Sequence, residues 1–380
     1  MLVPARARAV TAPGELWNWG ANAYGQLGDG SFSPHRTPEP IPGLGTVHAA
    51  EGGREHALAL TPGGVVYAWG WNLFGQVGSG SSASTVPTPA SVLTDVIDIG
   101  AGHYSSFAVK SDGTAWAWGR NETGQLGDGT STTRRVPTRI QGLAGHTIVD
   151  VAGGRNHAMA LADDGSVFTW GSNRYGQLGD GTFQSRLTPV PAEVDNIVRI
   201  FAGRDHSLAV QSNGAVWAWG HNRYGQVGDG TLTNRSTPQR VTRIAAGTVQ
   251  LLDNIVDVDA GGYHSLARTA SGRLWVWGWN DDGQLGDGTV KSRRRAVRVK
   301  SLTGVLDMAG GRQSSIAVVA GGDVYAWGEN QYGQLGDGTT SQTGRITPGI
   351  VPGISDVGAV GMGRDYAMAV VVSTGRSAGS

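Results

Sequence analysis

Trp118-Gly119-Arg120-Asn121-Glu122-Thr123-Gly124-Gln125-Leu126-Gly127 is one of seven copies of Trp-Gly-x-Asn-x-x-Gly-Gln-Leu/Val-Gly in this chain of 380 residues. The copies begin at Trp19, Trp69, Trp118, Trp170, Trp219, Trp277 and Trp327, at spacings of 50, 49, 52, 49, 58 and 50 residues. A repeat of this period, rich in short strand-like runs, points to a propeller or a related array. The units fill residues 14–372 without a gap. A length that would otherwise suggest two or three domains therefore describes one.

Within a unit, residues 56–70 read His-Ala-Leu-Ala-Leu-Thr-Pro-Gly-Gly-Val-Val-Tyr-Ala-Trp-Gly. Two strand-like runs flank a turn, and the equivalent turns carry Asp-Gly, Asn-Gly or Gly-Gly at 112–113, 164–165, 213–214 and 321–322. These pairs tolerate positive φ and are strong hairpin signals. The second strand ends in aromatic-x-Trp-Gly, the first aromatic being Trp17, Tyr67, Trp116, Phe168, Trp217, Trp275 or Tyr325. Residues two apart in a strand share a face. Fourteen large aromatics are therefore expected at equivalent buried positions between sheets. The Gly-Gln-Leu-Gly-Asp-Gly stretch (residues 25–30 and equivalents) reads as a tight turn. No helix pattern follows it to build a phosphate loop, and the ligand spacing of a calcium loop is missing.

A second motif, Ala-Gly-Gly-Arg-x-His-x-Leu-Ala-Leu in form, recurs at Gly53, Gly102, Gly154, Gly203, Gly261, Gly311 and Gly363, out of phase with the first. The strand 15–20 lacks a preceding partner and the strand 366–372 lacks a following one. Pairing them closes the array and leaves no exposed end faces. The expected fold is all-β: a closed seven-bladed propeller of four-stranded antiparallel blades, with the N- and C-terminal strands sharing one blade.

These residues resemble the repeat of the regulator of chromosome condensation family, over nearly the whole chain. The resemblance implies the same seven-bladed propeller, acting mainly through protein–protein contacts on its faces. The family includes a nucleotide-exchange factor for a small GTPase and a plant ultraviolet-B receptor. Where that receptor carries tryptophans after the second motif's glycine, this chain has Arg54, His103, Arg155, Arg204, Gly262, Arg312 and Arg364. Photoreception by a tryptophan cluster is therefore not expected.

Composition narrows the function further. Formal net charge is zero, with 30 basic and 30 acidic residues, so nothing global favours nucleic acid or an anionic membrane. There is no cysteine, hence no disulfide, thiolate metal site or cysteine nucleophile. The bias to arginine, with only Lys110, Lys291 and Lys300 as lysines, fits a GC-rich bacterial genome. No stretch is long and apolar enough to span a membrane as a helix. Residues 1–13 read as a flexible tail or a signal-peptide remnant, since Ala5-Arg6-Ala7 and Ala7-Arg8-Ala9 fit a small-x-small cleavage site. Residues 373–380 read as a second flexible tail. The expected location is extracellular, with cytoplasmic as the alternative.

The hairpin turns close one end of each blade, so the open ends lie together at the other. There the framework is constant and the side chains vary. The residue after Trp-Gly is Ala21, Trp71, Arg120, Ser172, His221, Trp279 or Glu329, and the pairs after the second motif's glycine include His103-Tyr104, Arg204-Asp205, Gly262-Tyr263 and Arg364-Asp365. Arg, Trp and Tyr are enriched at interface hot spots. The expected partner-binding face is Arg54, Trp71, His103, Tyr104, Arg120, Arg155, Arg204, Asp205, His221, Tyr263, Trp279, Arg312, Arg364 and Asp365. Its ligand would be a protein or peptide, bound by a monomer without cofactor or metal. His56, His157, His206 and His264 read as structural histidines bonded to backbone. The basic run from Lys291 to Lys300 reads as a solvated outer strand, with a polyanion site as the alternative, and 242–254 as an inserted contact loop. No nucleophile–base pair or carboxylate dyad is readable, which leaves an enzyme at the channel mouth, or an exchange-factor-like regulator, as the alternative to a binding scaffold.

Overall fold

Strands dominate because the sequence alternates small, β-branched and aromatic residues between glycine turns. The computed structural model describes residues 12–372; both predicted tails fall wholly or largely outside that range. The first complete blade shows the pattern. Ala49–Gly52, His56–Leu60, Val66–Trp71 and Thr85–Leu93 pair antiparallel in that order from the axis outward. The two middle strands are almost wholly buried, whereas the outer strand is half exposed and carries prolines, as an edge strand tolerates.

Five further blades repeat this order, from Val96–Ala101 round to Ser341–Ile350. The seventh combines both ends of the chain. Val357–Met362 and Tyr366–Val372 supply its inner half, Gly14–Gly20 and His35–Pro40 its outer half. Its junction runs from Gly14 opposite Val372 to Gly20 opposite Tyr366, as expected from the unpaired strands.

Each letter of the repeated motif has a physical task. Every motif tryptophan is fully buried, and its indole N–H donates to the backbone carbonyl of the motif glutamine one blade back. The bonds run from Trp69 to Gln26, Trp118 to Gln76, Trp170 to Gln125, Trp219 to Gln177, Trp277 to Gln226, Trp327 to Gln284 and Trp19 to Gln334, all at 2.8–3.0 Å. The last closes the ring. The motif's final glycine gives the indole room: at Gly127, φ +67, a Cβ would sit 2.8 Å from the Trp170 nitrogen. The asparagine ties the loop, as Asn121 Oδ1 accepts from the Leu126 N–H while its amide donates to Asp128 and the Thr130 carbonyl. Asp128 in turn accepts from the Thr130 N–H and from Arg134 Nε at 2.7 Å. The recurrent aspartates are therefore turn formers, held by arginine in five blades and by His35 at Asp29.

Two expectations need correction. Of the fourteen aromatics, only the seven tryptophans of Trp-Gly are fully buried; six of the others are half-buried and Phe168 is 9% exposed. They sit nearer the hairpin turns, where Lys110, Arg240 and Arg243 cover Trp116, Trp217 and Trp275 at 5.5 Å. The insertion is a β-hairpin and not a loop. Thr242–Ala245 and Thr248–Leu251 pair antiparallel, and Arg243 meets Ala296 beside the outer strand Arg293–Arg298.

The clamp makes a graded prediction. Gly127→Ala should cost more than Gly145→Ala in chemical unfolding. Gly145 also has positive φ but open space around its Cβ direction, so it carries only the backbone penalty of about 1–2 kcal/mol. Equal losses at the two sites would remove the steric argument. Deleting 366–380 takes away the strand that pairs with Gly14–Gly20 and should lower the melting temperature of the whole ring. An unchanged melting temperature would show that closure does not stabilise it.

Candidate functional site

The two sets of variable positions meet within each blade. The residue after Trp-Gly donates its backbone N–H to the carbonyl of the second residue of the pair: Ala21 to Asp365, Trp71 to Glu55, Arg120 to Tyr104, Ser172 to Asn156, His221 to Asp205, Trp279 to Tyr263 and Glu329 to Gln313, at 2.7–2.9 Å. The positive φ of the intervening glycine, +97 at Gly70, lets the chain turn there. A second set of bonds runs from blade to blade around the axis. Arg54 N–H donates to the His103 carbonyl, His103 to Gly154, Arg155 to Arg204, Gly262 to Gly311, Arg312 to Arg364 and Arg364 to Arg54. The predicted residues therefore crown one end of the channel, where Arg54, His103, Tyr104, Arg155, Arg204, Arg312 and Arg364 line a cavity of about 250 Å³.

The crown has three sectors. In the first, Trp71 packs on Phe74 and Tyr104 at 5.7 and 5.4 Å, and on Tyr24 of the preceding blade at 5.3 Å. Arg54 and Arg120 lie over the Tyr104 ring at 5.2 and 5.4 Å, and Glu122 pairs with Arg120. In the second, Tyr224 contacts Tyr263 and Trp279 at 5.2 and 5.4 Å, His221 contacts Tyr175 and Tyr263, and Arg204 lies 4.8 Å over Tyr263. The third is polar. Gln313 bonds Asp282 at 2.5 Å, and the Glu329 carboxyl faces Asp365, Arg312 and Asp282.

Tyr24, Phe74, Tyr175 and Tyr224 are absent from the predicted face. Their signal was present: the residue before Gly-Gln is aromatic in five of the seven motifs. Three predicted residues, Tyr104, Asp205 and Asp365, are buried. They position their neighbours, with Asp205 3.4 Å from Arg204 Nε and Asp365 3.2 Å from Arg364 Nε. Glu55, outside the predicted face and expected from sequence only as a counter-charge to the arginines, pairs with both Arg54 and Arg364.

The four repeated histidines bond through Nε2 to a serine side chain, a partner the sequence did not suggest, and His56 also meets the Ser105 backbone. Their Nε2 atoms lie 2.9–3.1 Å from Ser106, Ser207, Ser265 and Ser315 of the next blade. Each such serine donates its own proton to a glutamine carbonyl, so the histidine is the donor. Burial holds His56, His157 and His264 down to about 3, which keeps them neutral. Serine–histidine pairs do therefore exist, but the proton points the wrong way for nucleophile activation and every partner is fully buried.

Below the mouth, inner-strand carboxylates join blades. Asp98 accepts from the Val151 N–H, Asp259 from Gly310 and Asp307 from Val360, at 2.8–3.1 Å. The basic run includes the outer strand Arg293–Arg298, whose first residues pass beside Gly278 and Gly225 of the second sector, and Arg293 is held by Asp287 at 2.6 Å.

Glu329 yields a pH prediction. Burial first, then Asp365, pushes its carboxyl up to about 7, against the pull of Arg312. The unfolded chain loses this proton near pH 4.5 and the folded chain only near 7. The stability linked to Glu329 is therefore fully present below pH 4.5 and lost as pH rises to 7. Glu329→Gln should be relatively more stable than wild type at pH 8 than at pH 4.5, read by chemical unfolding at both. The same difference at both values would contradict this.

The fold is shared with yeast Prp20p, at a TM-score of 0.85 and 23% identity over 97% of this chain and 94% of that one. Human WBSCR16 gives a TM-score of 0.83 at 22% identity, covering 94% of this chain and 99% of that one. In sequence, the human E3 ubiquitin-protein ligase HERC2 is 32% identical over 302 residues, 76% of this chain but 6% of that protein. The Arabidopsis thaliana ultraviolet-B receptor UVR8 is 32% identical over 167 residues, 43% of this chain and 37% of its own. This chain thus spans a small part of those relatives. Regulator of chromosome condensation (RCC1) repeats match residues 13–60 and 47–76. The RCC1-like domain matches residues 84–369, and the chain belongs to that family.

Proposed function

We propose that the chain is a non-catalytic scaffold that binds a protein or peptide through the crown of arginines and aromatics. One observation carries this reading. Two aromatic nests, each with arginine stacked on it, stand on the same end of a rigid ring, three blades apart. Aromatic and arginine side chains anchored on fixed backbone lose little freedom on binding. The structure of Prp20p was described together with its binding to Gsp1p and histones, and another holds yeast RCC1 with Kap60. Binding of proteins by this fold is consistent with the same use here.

The protein acts as a monomer and outside the cell in this reading. The location rests on the two small-x-small sequences within residues 5–9. Fractionation of the source organism tests it.

The binding face is tested by capture from extracts of that organism. A variant carrying Trp71→Ala, Trp279→Ala and Arg120→Glu should bind the captured partner at least tenfold more weakly, with circular dichroism unchanged. Arg298→Gln with Lys300→Gln, at the opposite end of the outer strand, should bind as wild type. The reverse pattern would move the interface to the rim of the propeller.

A further inference from the structure

We propose that the channel mouth is a binding site for a small multivalent anion, held between the guanidinium groups of Arg155 and Arg312. This goes beyond the partner-binding reading and rests on different residues. The mouth cavity of about 250 Å³ is lined by the glycine-rich loops of all seven blades. That is below the range of about 300–1,000 Å³ that accepts drug-sized ligands, so the occupant is small.

Arginine is the commonest charged residue of the lining. Five arginines reach it: Arg54, Arg155, Arg204, Arg312 and Arg364. Three buried carboxylates stand behind them. Glu55 serves Arg54 and Arg364, Asp205 serves Arg204, and Asp365 serves Arg364. Among the described residues, Arg155 and Arg312 form no ion pair and stack on no ring. They belong to the third and sixth blades, the widest separation that a ring of seven allows. Arg155, drawn at longer range by Asp205, and Arg312, drawn by Glu329 and Asp365, thus reach the mouth from opposite sides of the ring without a direct ion pair.

The potential of the ring converges on one point. His103, in the second blade, is held well below the usual histidine range by enclosure and then by Arg204, Arg155, Arg54 and Arg364. Four guanidinium groups from four blades act together on a single imidazole, so the field at the mouth is positive. Backbone amides add little, because the N–H groups of residues 54, 103, 155, 262, 312 and 364 are already bonded to neighbouring blades. Recognition therefore falls to the arginines, whose planar forks suit phosphate and carboxylate. Glu51 and Asp259 line the deeper wall. Their charge keeps an anion at the mouth and out of the channel.

The test is calorimetric titration of the full chain with sodium tripolyphosphate and, separately, citrate, at low ionic strength. One equivalent of either is expected to bind; tripolyphosphate alone assigns a phosphorylated ligand, and citrate as well extends the class to carboxylates. Arg155→Gln and Arg312→Gln should each weaken binding roughly tenfold, and salt should weaken it in wild type. Arg294→Gln with Arg295→Gln should leave it unchanged. Bound tripolyphosphate should also protect Arg155 and Arg312 of the wild-type protein from phenylglyoxal, a readout that needs no variant to fold. Absence of binding at millimolar tripolyphosphate overturns the proposal. So does protection confined to the 293–298 strand, or affinity lost only in the outer-strand variant. Partner capture through the Trp71 and Trp279 nests is read separately, so either proposal can fail alone.

Discussion

The indole-to-carbonyl bond between neighbouring blades is the constraint on which this molecule rests. A four-stranded sheet has two faces to cover and cannot do so alone. Here one face of each sheet presents a tryptophan whose nitrogen must find an acceptor once buried. The preceding blade supplies it from the Gly-Gln-Leu/Val-Gly loop, and the glycine beside that carbonyl has no side chain to block the ring. The bond is made seven times and joins the shared terminal blade to its neighbours on both sides. Because each loop is also tied by its own asparagine, the acceptor carbonyl is held in place independently of the tryptophan.

This rigidity explains why variable residues sit where they do. The crown loops are held by two sets of backbone bonds, one within blades and one around the axis. Neither set uses side chains. Substitution at these positions therefore changes surface chemistry with little effect on the ring. Aromatic nests, a polar sector around Glu329 and an arginine-lined mouth coexist on one frame for that reason.

Buried polar groups follow the same economy of placement. Histidines of four blades each reach a serine of the next, and the serine passes its proton to a carbonyl that already receives an indole. Asp98, Asp259 and Asp307 each take an amide from the following blade. The blade junctions are thus polar near the axis and apolar farther out. That arrangement fixes register as well as stability, since a one-residue slip would leave these groups unpaired.

Periodicity alone determined the number of blades, the hairpin in each and the shared terminal blade, because strand alternation and turn chemistry are local. It also located the variable positions of the crown, since an invariant frame such as Trp-Gly-x-Asn marks what differs within it. Which of those residues touch was decided only by the tertiary structure. Tyr24 and Trp71 meet across a blade junction, and so do Tyr175 and His221, from motif positions that the sequence keeps about 50 residues apart. The burial of Tyr104, Asp205 and Asp365, and the lack of a direct ion pair at Arg155 and Arg312 among the described residues, were equally unreadable from the chain. All depend on the angle at which neighbouring sheets splay around the axis. That angle is a property of seven blades packed together and is carried by no single repeat.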